Sequence, residues 1–221
     1  MEAKRVVVTG LGILCPVGNS PDEAWQNAAS GVSGAETIPD FVEQNLKVQF
    51  GGTVKNFDAE TFMGRREFRR TDPVTQMGLY VSAQALEDSG LKVDETDSKR
   101  FGVVMGTGIG GIQSLLDGLM LYLEKGPSSV SPLLLPMMLP DSPAGKIAID
   151  LGLRGPNMAI STACATGNNC IGEAYEIIRR GDADVMVAGS SEAALIGITV
   201  ASLSNMQAVS RRNGDPTGAS R

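Results

Sequence analysis

The chain has 221 residues, 42% hydrophobic and 20% charged, with 19 basic against 25 acidic side chains and a formal net charge of −6. That balance excludes an intrinsically disordered chain, and the negative charge argues against nucleic acid as a bulk partner. No apolar run approaches the roughly 20 residues that span a bilayer, and three cysteines without framework spacing point to a reducing compartment, so one cytoplasmic domain is expected.

Arg5 to Thr9 reads as a buried strand, entered from Met1-Glu2-Ala3-Lys4 without a signal-peptide pattern. Ser20-Pro21-Asp22-Glu23 starts a helix, with Ser as N-cap, Pro at the first position and Glu closing a capping box. Ala24, Trp25 and Ala28 are expected inward, and Gly31 ends the helix. Residues 32–62 read as irregular, with a short strand around Val48 to Val54. Thr71 or Asp72 caps the next helix, Pro73 opens it, Val74, Met77, Val81 and Ala85 form its buried stripe, and Gly90 ends it. Phe101 to Gly106 reads as a buried strand and Ile112 to Leu123 as a helix. Pro127 to Pro140 reads as a loop over an apolar surface, and Ser142 to Leu151 as a short helix. Asn157 to Thr162 and Asp184 to Ser190 are further strands. Strands alternating with helices predict an α/β fold with a mainly parallel sheet; no internal repeat is visible.

Cys164 is the most informative residue. It lies in Asn157-Met158-Ala159-Ile160-Ser161-Thr162-Ala163-Cys164-Ala165-Thr166-Gly167, where an apolar run ends in small residues. A helix follows, with Ile171, Ala174, Tyr175 and Ile178 on one face and Gly181 as its stop. Cys164 is therefore expected at a strand-to-helix junction, on the first helical turn. Unpaired N–H groups and the positive dipole end there favour a thiolate nucleophile and suit a developing oxyanion. A free cysteine is more often a small buried hydrophobe. Cys15, in a loop before Pro16, and Cys170, inside the helix, lack the setting of Cys164 and keep that reading.

Gly106-Thr107-Gly108-Ile109-Gly110-Gly111 satisfies the G-x-G-x-x-G dinucleotide pattern between a strand and a helix. The second strand with its acidic residue, due roughly 20 residues on, is replaced by the helix end Tyr122-Leu123-Glu124, so nucleotide binding is set aside. Ser131-Pro132-Leu133-Leu134-Leu135-Pro136-Met137-Met138 is too apolar for an ordinary surface loop; core packing, a dimer contact and a ligand wall all fit it. Gly64-Arg65-Arg66-Glu67-Phe68-Arg69-Arg70 places four arginines before the Asp72 cap. Most charge runs are solvated surface, but a basic patch on an acidic chain also suits an acidic partner. With no histidine and no cysteine spacing of the right kind, no zinc site and no Ser-His-Asp triad is expected within the chain.

Ser161-Thr162-Ala163-Cys164-Ala165-Thr166-Gly167 resembles the nucleophile motif of the β-ketoacyl-acyl-carrier-protein synthases, the condensing enzymes of fatty-acid synthesis. Val6-Val7-Val8-Thr9-Gly10-Leu11-Gly12, the Gly106–Gly111 turn, Leu153-Arg154-Gly155-Pro156, Gly181 to Gly189, and Ser210-Arg211-Arg212-Asn213 to Ala219-Ser220-Arg221 also match, in family order. The likeness covers the whole chain and is nearest the bacterial type II elongating synthases. It implies a thiolase-like fold, two similar halves in α-β-α-β-α layers, with residues 1–221 as the N-terminal half. It makes Cys164 the acylated nucleophile, and places Ile109, Leu133 and Leu134 at the acyl pocket. Arg66, Arg69 and Arg70 fall on positions that dock an acyl carrier protein. It also implies a homodimer and no cofactor. The family's two histidines belong to its second half, so this chain alone is expected not to condense. Thiolase-type enzymes acting on coenzyme A, polyketide ketosynthases, and a non-catalytic dimerisation or carrier-binding module are the alternatives.

Overall fold

A computed structural model describes residues 4–219. In chain order its elements are α1 (Pro21–Ala29), β1 (Ala35–Thr37), α2 (Pro39–Glu43), β2 (Phe50–Gly52), α3 (Ala59–Met63), α4 (Arg65–Phe68), α5 (Pro73–Ser89), β3 (Phe101–Gly106), α6 (Ile112–Lys125), α7 (Leu134–Met138), α8 (Ser142–Leu151), β4 (Asn157–Met158), α9 (Thr166–Arg180), β5 (Val185–Ser190) and α10 (Gly197–Asn205). They form two compact units. One comprises the chain up to Gly12 together with Asp58–Ala193; the other comprises Ile13–Phe57 and the residues from Ala194 on.

The first unit is a three-layer α/β/α arrangement around a parallel sheet of order β4-β3-β5. Every residue of β3 is buried, as an apolar run in a sheet covered on both faces requires. Alternation divides it. Phe101, Val103 and Met105 pack with Leu79 of α5 and with Ala144 and Ile147 of α8. Val104 packs on the other side with Cys170, Ala174 and Ile177 of α9. Each large side chain so buried contributes about 1.5–3 kcal/mol. Gly106 permits the close approach of α9: a Cβ there would stand 2.2 Å from the Ile160 carbonyl oxygen and 2.5 Å from Thr166 Cγ2.

The expected cap of α5 is present. Asp72 is fully buried, and its Oδ1 accepts from Val74 N at 3.0 Å. Its Oδ2 accepts from the backbone N of Ser114 at 2.9 Å and from the Ser114 hydroxyl at 2.8 Å. One carboxylate thus ties together the N-termini of α5 and α6. The buried stripe of α5 differs from the expected one. Val74 is buried, but Met77, Val81 and Ala85 are half-buried, while Gln76, Gly78, Leu79 and Ser82 are buried. The polar members are accommodated because Gln76 Nε2 donates to the Thr71 carbonyl at 2.9 Å and Ser82 Oγ to the Gly78 carbonyl at 2.7 Å.

Residues 5–9 are not the buried strand their composition suggests. They pair with no strand among the described residues, and Val8 is 75% exposed. Val6 to Thr9 and β5 line one groove of about 440 Å³, shared with Ile171, Tyr175 and Ile178 of α9. An apolar run reads as a strand whether or not a neighbour is present to pair with it. The segment is held at its ends instead: Lys4 Nζ reaches Asp184 Oδ1 at 2.8 Å, and Leu11 N donates to Asp88 Oδ2 at 2.8 Å. Arg100, aided by Lys4, holds the Asp184 carboxyl well below the usual carboxylate range. Strand β4 is also shorter than expected, two residues rather than Asn157 to Thr162. Beyond Met158 the chain leaves the ladder, and by Thr162 its backbone N donates to Thr166 Oγ1 at 2.9 Å instead.

In the second unit β1 and β2 pair antiparallel, with Ala35 opposite Gly52 and Thr37 opposite Phe50. Phe41, Val48 and Val200 form its core. The stretch read as irregular, residues 32–62, therefore holds two short strands, α2 and most of α3, with the strand expected at Val48 to Val54 reduced to Phe50–Gly52. Ser20 caps α1 as expected, its Oγ accepting from Glu23 N at 3.3 Å, but Glu23 Oε2 accepts from Asn19 N at 2.8 Å, one residue before the cap, so the expected capping box is not closed on Ser20 itself. Only Ala24 of its three inward candidates is buried: Trp25 is 74% exposed and Ala28 is exposed. Ala24 seats on Gly18, where a Cβ would lie 2.5 Å from Ala24 N, and the next residue is turned about 100° away around the helix.

Candidate active site

The C-terminal ends of three parallel strands meet at one edge of the first unit, the place where open α/β sheets present ligand sites. The loop after β4 carries Ser161 to Ala165, the turn after β3 carries Thr107 to Gly111, and Ser191 and Glu192 follow β5.

Cys164 sits in a single 3-10 turn, Ala163–Ala165, immediately ahead of α9, not on its first α-helical turn. Its thiol is free and the residue is exposed. Ala163 holds φ +53, a left-handed value that is uncommon for a residue with a side chain. Its surroundings fix it there. Thr166, almost fully buried, donates from Oγ1 to the Ala163 carbonyl at 2.7 Å and accepts from Thr162 N. Ala165 N donates to the Thr162 carbonyl at 3.1 Å. Thr162 Oγ1 donates to Asn169 Oδ1 at 2.6 Å, tying the turn to the first turn of α9. Cys164 is thus presented at the mouth of α9 on a turn clamped on both sides. Cys170 is fully buried, and burial pushes its thiol pKa up; it packs as the sequence suggests. Cys15 is half-buried in the second unit.

Ile109 rides half-exposed on the turn after β3. Ser161 Oγ donates to the Gly108 carbonyl at 3.2 Å, so this turn and the cysteine loop are joined. Gly110, at φ +86, makes its bend. Leu133 and Leu134 lie at the start of α7, inside the segment read as a loop, and both are half-buried. Leu134 packs on α6, its Cδ1 3.0 Å from where a Gly118 Cβ would stand. Around it α6 exposes Leu115, Leu119, Met120, Leu121, Tyr122 and Leu123, an apolar surface of the kind that marks an interaction site.

The arginines lie on and just after α4. Arg66, Arg69 and Arg70 are exposed, and among the described residues no ion pair engages them. Glu67 between them turns to Lys146 at 2.7 Å. The Lys146 hydrogen bond, with the charges of Arg70 and Arg66 adding, lowers the Glu67 pKa. The patch therefore keeps three positive charges facing outward.

Sequence reasoning missed Asn169, Glu192 and the Asp72–Ser114 link. Glu192 carried one signal, its place directly after a parallel strand. The other partners become neighbours only through packing. Among the described residues, no group of acidic, cysteine or histidine side chains is placed to hold a metal ion, and no helix is long and apolar enough to cross a membrane.

The family model for the beta-ketoacyl synthase N-terminal domain matches residues 3–221. The chain is 45% identical over all 221 residues to a 3-oxoacyl-[acyl-carrier-protein] synthase 2 of Vibrio cholerae and 42% identical, again over all 221, to the Synechocystis protein of the same name; it covers 53% of each. A Staphylococcus aureus protein of that name is 42% identical over 209 residues, 95% of this chain and 50% of the relative. The chain thus spans about half the length of these relatives. Among solved structures, a beta-ketoacyl synthase from Burkholderia phymatum superposes with a TM-score of 0.83 at 29% identity, over 97% of this chain and 53% of that one. A ketosynthase in complex with its type II polyketide acyl-carrier protein gives 0.79 at 26% identity, over 92% and 55%. The three-layer unit around a parallel sheet is accordingly part of a thiolase-like ketosynthase fold, and the chain belongs to the β-ketoacyl synthase family, matching its N-terminal domain.

Proposed function

We propose that residues 1–221 form the nucleophile-bearing half of an elongating 3-oxoacyl-[acyl-carrier-protein] synthase. The observation that carries this reading is Cys164, exposed on a clamped turn at the start of α9, in a chain 42–45% identical to proteins of that name. Cys164 Sγ attacks the carbonyl carbon of an acyl group held as a thioester on carrier-protein phosphopantetheine. The new C–S bond replaces the old one, and the pantetheine thiol leaves with the proton. Malonyl-carrier protein then loses carbon dioxide, and its carbanion attacks the carbonyl carbon of the Cys164 thioester; the new C–C bond replaces the C–S bond, and Cys164 leaves as thiolate and takes up a proton from solvent. The Cys164 amide N–H supplies one oxyanion donor. No cofactor enters this scheme. The chain holds no histidine, so the two histidines by which the family stabilises the enolate are not among these residues, and the chain alone does not condense.

Ile109, Leu133 and Leu134 would line the acyl pocket, and Arg66, Arg69 and Arg70 would steer the acidic carrier protein. The apolar face of α6 supports a homodimer contact. Three free cysteines agree with a cytoplasmic setting. The likeness to a polyketide ketosynthase at 26% identity makes a polyketide substrate the second reading.

Acylation is tested by incubating the chain with a mechanism-based thiol reagent and mapping the adduct. The expected site is Cys164, with no adduct in Cys164→Ala; preferential labelling of Cys15 would sink the assignment. For docking, Arg66, Arg69 and Arg70 are reversed together to Glu. Carrier binding should weaken and its salt dependence flatten; unchanged affinity at low salt would return the patch to ordinary solvated surface.

A further inference from the structure

The turn after β3 is gripped from both neighbouring strands. On the β4 side Ser161 Oγ holds the Gly108 carbonyl. On the β5 side Glu192 Oε2 accepts from Gly108 N at 2.9 Å and from Thr107 Oγ1 at 3.4 Å. Thr107 is fully buried, and its Oγ1 in turn accepts from Gly110 N at 3.1 Å. Glu192 therefore fixes Gly108 directly and Gly110 through Thr107, on either side of Ile109. The same turn lies against the cysteine loop: a Cβ on Gly108 would stand 2.8 Å from Glu192 Oε2 and 3.7 Å from Ala163 Cα. Ser191, buried beside Glu192, anchors the carboxylate's own backbone. Its N donates to the Gly106 carbonyl at 3.1 Å and its Oγ to the Val74 carbonyl at 2.7 Å.

We propose that Glu192 is a positioning residue: its carboxylate locks the Thr107–Gly110 turn against Ala163, and so sets how Ile109 limits what reaches Cys164. This rests on the reading of Cys164 as the acylated group. A carboxylate oxygen suits the task because it takes two donors at once, an amide and a hydroxyl. A glutamine oxygen can accept the same pair, whereas alanine can accept neither. The requirement is for the acceptor, not for the charge.

The test compares the chain with Glu192→Ala and Glu192→Gln. Amide hydrogen exchange at Gly108 and Gly110 is read first. Glu192→Ala should raise it about fivefold or more, the loss expected for one hydrogen bond, and Glu192→Gln should stay near the parent. Alkylation of Cys164 by N-methylmaleimide and N-octylmaleimide is read second, with the adduct mapped. The octyl-to-methyl rate ratio should shift by about twofold or more in Glu192→Ala and be restored in Glu192→Gln. A general loss of stability would change both rates together and leave the ratio alone. Unchanged exchange in Glu192→Ala overturns the clamp. Raised exchange with an unchanged ratio overturns the positioning role, and a glutamine variant as impaired as alanine overturns the acceptor argument. Labelling away from Cys164 in the parent chain would instead count against the acylation site, and exchange at Gly108 would still decide the clamp.

Discussion

Asp72→Ala should be among the most damaging single changes in the first unit. The carboxylate is fully buried and accepts three hydrogen bonds, from Val74 N, Ser114 N and Ser114 Oγ, at 3.0, 2.9 and 2.8 Å. A hydrogen bond to a charged group is worth about 1.5–3 kcal/mol, and loss of an N-cap alone costs about 1 kcal/mol. Against this stands the relief of desolvating a carboxylate. The Ser114 hydroxyl can also turn to another partner, since that residue is half-buried. Two amide donors, Val74 N and Ser114 N, lose their acceptor at about 1–3 kcal/mol each, so the net expected loss is about 3–5 kcal/mol. With a urea slope of about 2 kcal/mol per molar, the unfolding midpoint followed by far-UV circular dichroism should fall by about 2 M. Asp72→Asn keeps one acceptor for Val74 but turns an NH2 toward the Ser114 amide, so it should cost about half as much. Ser114→Ala removes the hydroxyl only and should cost about 1 kcal/mol or less. A loss below about 1 kcal/mol in Asp72→Ala, or one matched by Ser114→Ala, would refute the claim that this carboxylate joins two helix starts.

Gly106→Ala should destabilise by about 1–3 kcal/mol, because its Cβ would press on the Ile160 carbonyl at 2.2 Å and on Thr166 Cγ2 at 2.5 Å. An unchanged melting temperature would contradict the close seating of α9 on β3. The pH dependence follows from Asp184, whose folded-state pKa lies below its unfolded value because of Arg100 and Lys4. Its contribution is therefore complete above the ordinary carboxylate range, about pH 4–5, and is lost as the pH falls through the folded value. Arg100→Met should flatten the decline of melting temperature below pH 5, modestly because the pair is half-exposed; an identical acid slope would show the ion pair to be inert. Trp25, the one tryptophan of the chain, is largely exposed, so its fluorescence should be quenched by acrylamide almost as fully in the native as in the unfolded state. Strong native protection would return it to the core.

Local sequence determined the elements whose physics is local. The Asp72-Pro73 and Ser20-Pro21 starts follow from side chains that satisfy nearby N–H groups. The run Phe101 to Gly106 is apolar at every position or glycine because both its faces are covered. The junction at Cys164 was legible to within two residues, since small residues before an amphipathic helix leave the chain few ways to turn. Only tertiary structure decided which apolar residues find partners. Val8 and Trp25 carry the same composition as buried residues but are exposed, because burial depends on what stands opposite and periodicity records only what a residue would accept. The same reason hid Glu192, Asn169 and Ser114. Glu192 reaches Gly108 across 84 residues and Ser114 reaches Asp72 across 42, and a hydrogen bond between such residues leaves no local pattern until packing brings them together; Asn169 lies only seven residues from Thr162, but their bond depends on the turn at Ala163–Ala165.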